Sequence, residues 1–296
     1  MFIPRWGTYL ERIEQKPMSR IISSVAHLCN ALLRVQKLFQ LPVLCVKVNE
    51  LWLGQALGLP VIQNNSESLN HNLTTIETEL TPASILNSSL LQTLLNSLEG
   101  AAQTLPTSIR LVGDLPGPHK LKKCLVWPKT ASPQEVNACC HSACLMLAKA
   151  YGELDVLQAV VLDEDFRADN ENLQNDGSTS WNTLLNVLSF YNLPCLLLPR
   201  MAERQLIDQK LLNHNGLTGL FVEHHQTYRY LNNKKLVIGC ALSADILRSA
   251  RDSLSMKIQQ LIAAGVFLFT TQGEVPVDIE PDILNYLSTI ELLSKC

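Results

Sequence analysis

Short, continuous apolar runs alternate along the chain with longer stretches in which apolar residues recur every three to four positions. The runs at 41–48, 107–113, 157–163, 193–199, 217–222, 235–240 and 265–270 are rich in Val, Leu and Ile, the pattern of strands buried on both faces. Helical periodicity covers 19–39, 84–100, 132–153, 179–191, 202–214 and 244–263. In the first of these, Ile22, Val25, Ala26, Leu28, Cys29, Leu32, Leu33 and Val35 make one broad stripe. Helix starts are signalled by Ser132 before Pro133 with Glu135 three positions on, by Ser178 or Thr179 before Trp181, and by Ser243 before Asp245. Strands that alternate with helices imply a parallel sheet covered by those helices. With a short strand at Phe2-Ile3-Pro4 the count closes at eight. The expected fold is therefore α/β, a single (β/α)8 TIM barrel over residues 1–296 with a polar loop excursion near 63–83. An open doubly wound sheet is the runner-up. It would carry a Gly-rich phosphate loop, and neither G-x-G-x-x-G nor G-x-x-x-x-G-K-[ST] occurs.

Composition narrows the function classes. The 296 residues carry a net charge of −3, with 47% hydrophobic and 17% charged residues, enough for one large core. That balance leaves no electrostatic footprint for nucleic acid, and the basic run His119–Lys123 is too short to supply one. The opening residues lack the apolar stretch of a signal peptide or membrane span, so a cytoplasmic protein with no membrane partner is expected. The nine cysteines include no C-x-x-C pair and read as reduced thiols. Cys139, Cys140, His141 and Cys144 are close in sequence. Neighbouring helix positions point about 100° apart, so packing is expected there rather than a metal site.

A parallel barrel gathers its chemistry at the carboxyl ends of its strands. The residues that follow the apolar runs are Asn49 and Glu50; Asp114 and His119; Asp163, Glu164 and Asp165; Arg200; Glu223, His224 and His225; Ser243; and Gln272 and Glu274. Glu50, Asp163, Glu164 and His224 are the catalytic candidates, since burial or crowding can tune carboxylates and imidazole for acid–base work. Asn49, Asp114, His119, Arg200, Gln272 and Glu274 are candidates for binding substrate, with Arg200 suited to clamp a carboxylate. The plain alternative is that strand ends are polar anyway and that helix caps favour Asp and Ser. Asp163-Glu164-Asp165 need a cation, a metal or a helix N-terminus to offset their repulsion. Only one of His224 and His225 can face the barrel axis. The absence of G-x-S-x-G and H-E-x-x-H leaves hydrolase and zincin chemistry unsupported.

Several segments, taken in order, resemble the uroporphyrinogen decarboxylase and cobalamin-linked methyltransferase superfamily. Phe269 to Leu284, with Gly273-Glu274-Val275-Pro276, is similar to its last strand-loop-helix, in which the methyltransferase branch reads G-C-E-[IV]-P. Val48 to Gly58 is similar to its F-S-D-I-L segment, Gly113 to Pro118 to a Gly/Pro turn, and Gly7-Thr8-Tyr9-Leu10 to the decarboxylase's R-Q-A-G-R-Y-L. The resemblance implies that Arg5 and Tyr9 bind substrate. Thr8 replaces a second arginine, Asn49 stands at the key aspartate with Glu50 beside it, and Gln272 stands at a late histidine. The zinc-ligand positions of the methyltransferase branch fall on Leu198, Arg200 and Gly273, so neither metal nor cofactor is expected.

The resemblance implies a metal-independent enzyme of the carboxy-lyase type, or a binder, for a tetrapyrrole-type or multi-carboxylate small molecule. One alternative is a corrinoid-linked methyltransferase that lacks the zinc site. Another is a catalytically inactive barrel that binds a ligand or partner. Analogy with the family allows a homodimer. A wide pocket lined by arginines would favour tetrapyrroles, and replacing Glu50 or Asp163 by Ala is expected to abolish turnover with little change in melting temperature.

Overall fold

The computed structural model describes residues 1–59, 82–166, 177–200, 207, 209–223, 227, 230–231 and 235–290. The strands are β1 (Phe2–Ile3), β2 (Arg5–Trp6), β3 (Val43–Val46), β4 (Arg110–Pro116), β5 (Leu157–Asp165), β6 (Cys195–Arg200), β7 (Leu217–Glu223), β8 (Val237–Leu242) and β9 (Leu268–Thr271). All pair in parallel in the order β1-β9-β8-β7-β6-β5-β4-β3-β2. The two ends of that order are one stretch of chain. Phe2 and Ile3 lie beside Phe269 and Thr270, whereas Arg5 and Trp6 lie beside Cys45 and Val46. Pro4, which has no N–H to donate, marks the change of partner. Counted as one strand, this segment closes the ring at eight, the barrel that the hydrophobic pattern predicts.

The helices are α1 (Tyr9–Glu14), α2 (Met18–Ile21), α3 (Val25–Phe39), α4 (Glu50–Ala56), α5 (Ser89–Thr104), α6 (Pro118–Cys124), α7 (Pro133–Leu154), α8 (Gly177–Phe190), α9 (Gln209–Leu212), α10 (Ala244–Leu247), α11 (Arg251–Ala263) and α12 (Pro281–Ser288). The helix expected over 19–39 breaks at Ser24, whose side chain accepts from the His27 N–H at 3.3 Å and starts α3. The one expected over 244–263 is likewise divided into α10 and α11. Ser132 and Glu135 form the capping box read from their spacing, and Ser243 caps α10. Ser178 and Thr179, expected ahead of the helix, lie within α8, which begins at Gly177. Of the polar excursion near 63–83 only Pro82 and Ala83 lie within the described residues, in a 3-10 helix over Pro82–Asn87.

Side chains alternate across each strand, and two cores result. Ile3, Val43, Cys45, Val112, Val161, Leu196, Leu198, Phe221, Ala241 and Leu268 fill the barrel interior. The intervening residues, among them Trp6, Leu44, Val46, Leu111, Leu162, Leu197 and Leu220, pack outward against the helices. The thiols of Cys139, Cys140 and Cys144 are buried on α7 as packing groups, with the Cys144 Sγ against the Pro116 carbonyl at 3.1 Å.

Candidate functional site

The inward positions change character toward the carboxyl ends of the strands. Ile3 is followed two positions on by Arg5, Val112 by Asp114, Val161 by Asp163, Leu198 by Arg200 and Phe221 by Glu223. A polar layer therefore sits directly on the apolar one. Asp114 and Asp163 lie within their strands and Arg200 and Glu223 close theirs, so all four are strand residues rather than loop residues.

Arg5 is the hub of this layer. Its Nε donates to Asp114 Oδ1 at 2.7 Å and its Nη2 to Asp163 Oδ2 at 2.5 Å, with all three side chains fully buried. The second Asp114 oxygen accepts from the Val48 N–H at 2.9 Å. Lys120, on α6, reaches the same Asp163 Oδ2 and also pairs with Glu50 Oε1 at 2.5 Å. Lys47 holds both oxygens of Glu50 at 3.2 Å. Arg200 Nε lies 3.5 Å from Asp163 Oδ1, too far for a hydrogen bond, and both of these buried atoms lack one. The connected ion pairs thus join four cations, Arg5, Lys47, Lys120 and Arg200, to three carboxylates, Glu50, Asp114 and Asp163.

Burial and charge pull these groups in opposite directions. Burial alone would raise the Asp163 pKa, but Arg5, Lys120 and Arg200 outweigh it and hold the carboxyl well below the ordinary carboxylate range. Asp114 has its pKa raised, because burial and the neighbouring Asp163 outweigh Arg5 and Lys47. For Glu50 burial is again the largest influence, yet Lys47 and Lys120 bring it down to about 2. Arg5 and Lys120 are raised despite burial, Arg5 by Asp114 and Asp163, Lys120 by Asp163 and Glu50.

Other predicted residues lie outside these ion pairs, although the Gln272 carbonyl accepts from Arg5 Nη1 at 3.3 Å and Arg200 Nη2 at 3.4 Å. Glu164 points to α6, where its carboxylate accepts from the N–H groups of His119 at 3.3 Å and Lys120 at 2.8 Å, the helix N-terminus its repulsion required. His119 approaches Glu164 through Nδ1 at 3.2 Å and stacks on Trp181. Tyr9 is buried with Trp6 and Phe39, its hydroxyl donating to the Ile279 carbonyl at 3.2 Å. The Asn49 carbonyl accepts from the Trp52 N–H at 2.9 Å at the start of α4. Gln272 donates through its amide to Glu223 Oε1 at 2.5 Å. His224 and His225 lie outside the described residues. The structure adds Lys47 and Lys120, which sequence reasoning missed. Counting by twos from Val43 and Cys45 would have flagged Lys47, while Lys120 was hidden in a run read only as a basic surface cluster.

Beside this network lies a cavity of about 250 Å³ lined by Arg200, Leu242, Ala244, Leu247, Gln272, Gly273 and Glu274. Two of the three family zinc-ligand positions, Arg200 and Gly273, meet there, and the third, Leu198, is buried inside the barrel. An aliphatic chain, a fixed cation and a glycine cannot coordinate zinc. Among the described residues no group of three His, Cys, Asp or Glu is placed to hold a metal. The residues at these three positions do not fit the zinc that the resemblance implies.

A methyltransferase from Methanosarcina mazei has the same fold, with a TM-score of 0.75 over 99% of this chain and 93% of that one, at 13% identity. The catalytic module of a family 98 glycoside hydrolase from Streptococcus pneumoniae TIGR4 is 12% identical and covers 69% of this chain and 41% of that one, with a TM-score of 0.41. No protein-family model and no curated protein matches the sequence. The chain is thus a parallel barrel with the architecture of the archaeal methyltransferase. No described helix is long and apolar enough to cross a membrane.

Proposed function

We propose that this protein is a methyltransferase-type barrel that holds an anionic group of a small substrate against Arg200 and works without zinc. The observation that carries the reading is Arg200 itself. It has five N–H donors, makes one hydrogen bond among the described residues, to the Gln272 carbonyl at 3.4 Å, and forms a wall of the mouth cavity. Among the described residues the ion-pair network behind it has one more cation than carboxylates, which favours a ligand that brings an anionic group to Arg200. Arg200 would bind the substrate, Asp163 would orient Arg200, and Arg5 and Lys120 would keep Asp163 ionised. A cavity of about 250 Å³ lies below the roughly 300–1,000 Å³ of pockets for drug-sized ligands and is far too small for a tetrapyrrole. The methyltransferase fold of the archaeal neighbour favours methyl transfer over decarboxylation. A corrinoid is the methyl carrier that this reading names.

The test mixes purified protein with a methylated corrinoid and small anionic acceptors. A change in the visible spectrum and methylated product are expected, with transfer reduced roughly 10- to 100-fold in Arg200→Gln, the range for loss of hydrogen bonds to a charged group. Carbon dioxide release without methyl transfer would support the decarboxylase reading instead. That reading draws on Asp114 and Asp163, two buried carboxyls pushed in opposite directions, as an acid–base pair needs. Binding without either reaction would make the barrel a non-catalytic receptor.

A further inference from the structure

The mouth cavity has two charged walls of opposite sign. Arg200 forms one and Glu274 the other, and Leu242, Ala244 and Leu247 supply the apolar surface between them. Among the described residues the hydrogen bonds of the Glu274 carboxylate both come from Thr8, its N–H at 2.9 Å and its hydroxyl at 3.1 Å. A carboxylate offers about four lone-pair sites, so roughly half of its accepting capacity is unspent. Glu274 forms no ion pair among the described residues, in contrast to Glu50, Asp114 and Asp163. Arg200, which lines the same cavity, has its buried Nε 3.5 Å from Asp163 Oδ1 and without a hydrogen bond among the described residues. A Cβ placed on Gly273, which also lines the cavity, would meet nothing within 4 Å, so this part of the wall is open space.

We propose that the cavity is the site of a small zwitterion, an α-amino acid with a short aliphatic side chain. Its carboxylate pairs with Arg200, its ammonium with Glu274, and its side chain covers Leu242, Ala244 and Leu247. This assignment rests on the reading of the mouth as a substrate site and names the substrate class. A simple anion would satisfy Arg200 but set its charge beside Glu274, and like charges brought together in a poorly solvated site are costly. A simple amine would leave Glu274 content and face Arg200. Only a ligand with both signs suits both walls, and the cavity volume limits it to a small skeleton.

The experiment is calorimetric titration of the full chain with L-leucine, with 4-methylpentanoate, which lacks the amino group, and with 3-methylbutylamine, which lacks the carboxylate. Leucine is expected to bind at least roughly 10-fold more tightly than either, the scale of a hydrogen bond to a charged group. Glu274→Gln should bring leucine down to the affinity of 4-methylpentanoate without weakening that acid, while Arg200→Gln should weaken both. Gly273→Leu should abolish binding of all three with the melting temperature preserved, because its side chain enters open space. It keeps the test valid if Arg200→Gln fails to fold. Equal binding of leucine and 4-methylpentanoate, or tightest binding of the amine, would overturn the zwitterion. The equal-binding result would leave the anion site intact. No binding of any ligand to folded wild-type protein would remove both this inference and the reading beneath it.

Discussion

Asp163 takes charge from three directions, from Arg5, Lys120 and Arg200, and its side chain is wholly buried. Its removal cannot be thermally silent, contrary to the expectation from sequence. Asp163→Ala strands three cations in or beside the core, and breaking a buried ion pair costs about 3–5 kcal/mol. At roughly 2–4 °C per kcal/mol for a chain of this size, a fall in melting temperature on the order of 10 °C is expected by calorimetry. A fall of a few degrees would show that the network contributes little to the fold. Glu50 stands at the rim and suits a different test. Its pKa is about 2 in the folded protein, against 4.5 for the ordinary side chain. The stability it contributes is therefore complete above the ordinary value and is lost as pH falls from there toward 2. Asp114, with its pKa raised, acts in the opposite sense, losing its contribution as pH rises through the folded value. The difference between wild type and Glu50→Gln isolates Glu50. Urea midpoints measured downward from pH 6 should show the wild-type advantage shrinking below about pH 4.5, and a constant advantage would contradict the ion pairs with Lys47 and Lys120.

At the scale of elements, the hydrophobic pattern located every strand but ended most of them early, for a physical reason. Apolar side chains are required only where a strand faces the packed interior, while backbone pairing continues for one to three more residues under the polar layer. Arg200 and Glu223 look like loop residues in sequence and are strand residues in space. The same parity separates Asp163 from Glu164, since adjacent strand residues face opposite sides. Asp163 joins Arg5 inside the barrel, and Glu164 turns out to α6. Helices α1, α4 and α6 were not legible, being short and stabilised by tertiary contacts rather than by a long apolar stripe. The start of α6 depends on Gly117, where an added Cβ would lie 2.4 Å from Glu164 Oε2. Gly117→Ala must displace the carboxylate that caps the helix bearing Lys120. A loss of about 1–3 kcal/mol by urea denaturation is expected, the usual cost of overpacking. Gly273→Ala, with open space at its Cβ, should stay within about 0.5 kcal/mol of wild type. Equal effects at the two glycines would refute the close approach of Gly117 and Glu164.

Across the whole molecule, closure depends on very little backbone. The segment from Phe2 to Trp6 offers two paired residues to β9 and two to β3, where other neighbouring strands share registers of up to six. Such short pairing closes the ring because the same segment carries Arg5, which ties Asp114 on β4 to Asp163 on β5, and Trp6, which is buried among Tyr9 and Phe39. Closure and the construction of the mouth are therefore one event, since the residue that locks the seam also fixes the carboxylate behind Arg200. Deletion of residues 1–6 should then do more than fray an edge. It exposes two strand edges and leaves Asp114 and Asp163 without their shared cation, so the remaining chain should lose its single cooperative unfolding transition in urea, followed by tryptophan fluorescence and far-ultraviolet circular dichroism. The sharper expectation is that Arg5→Leu, which keeps the backbone and apolar bulk of the seam, reproduces most of that loss. If Arg5→Leu unfolded with the wild-type midpoint while the deletion did not, backbone pairing alone would hold the ring closed, and the polar layer would be a passenger on the barrel rather than its lock.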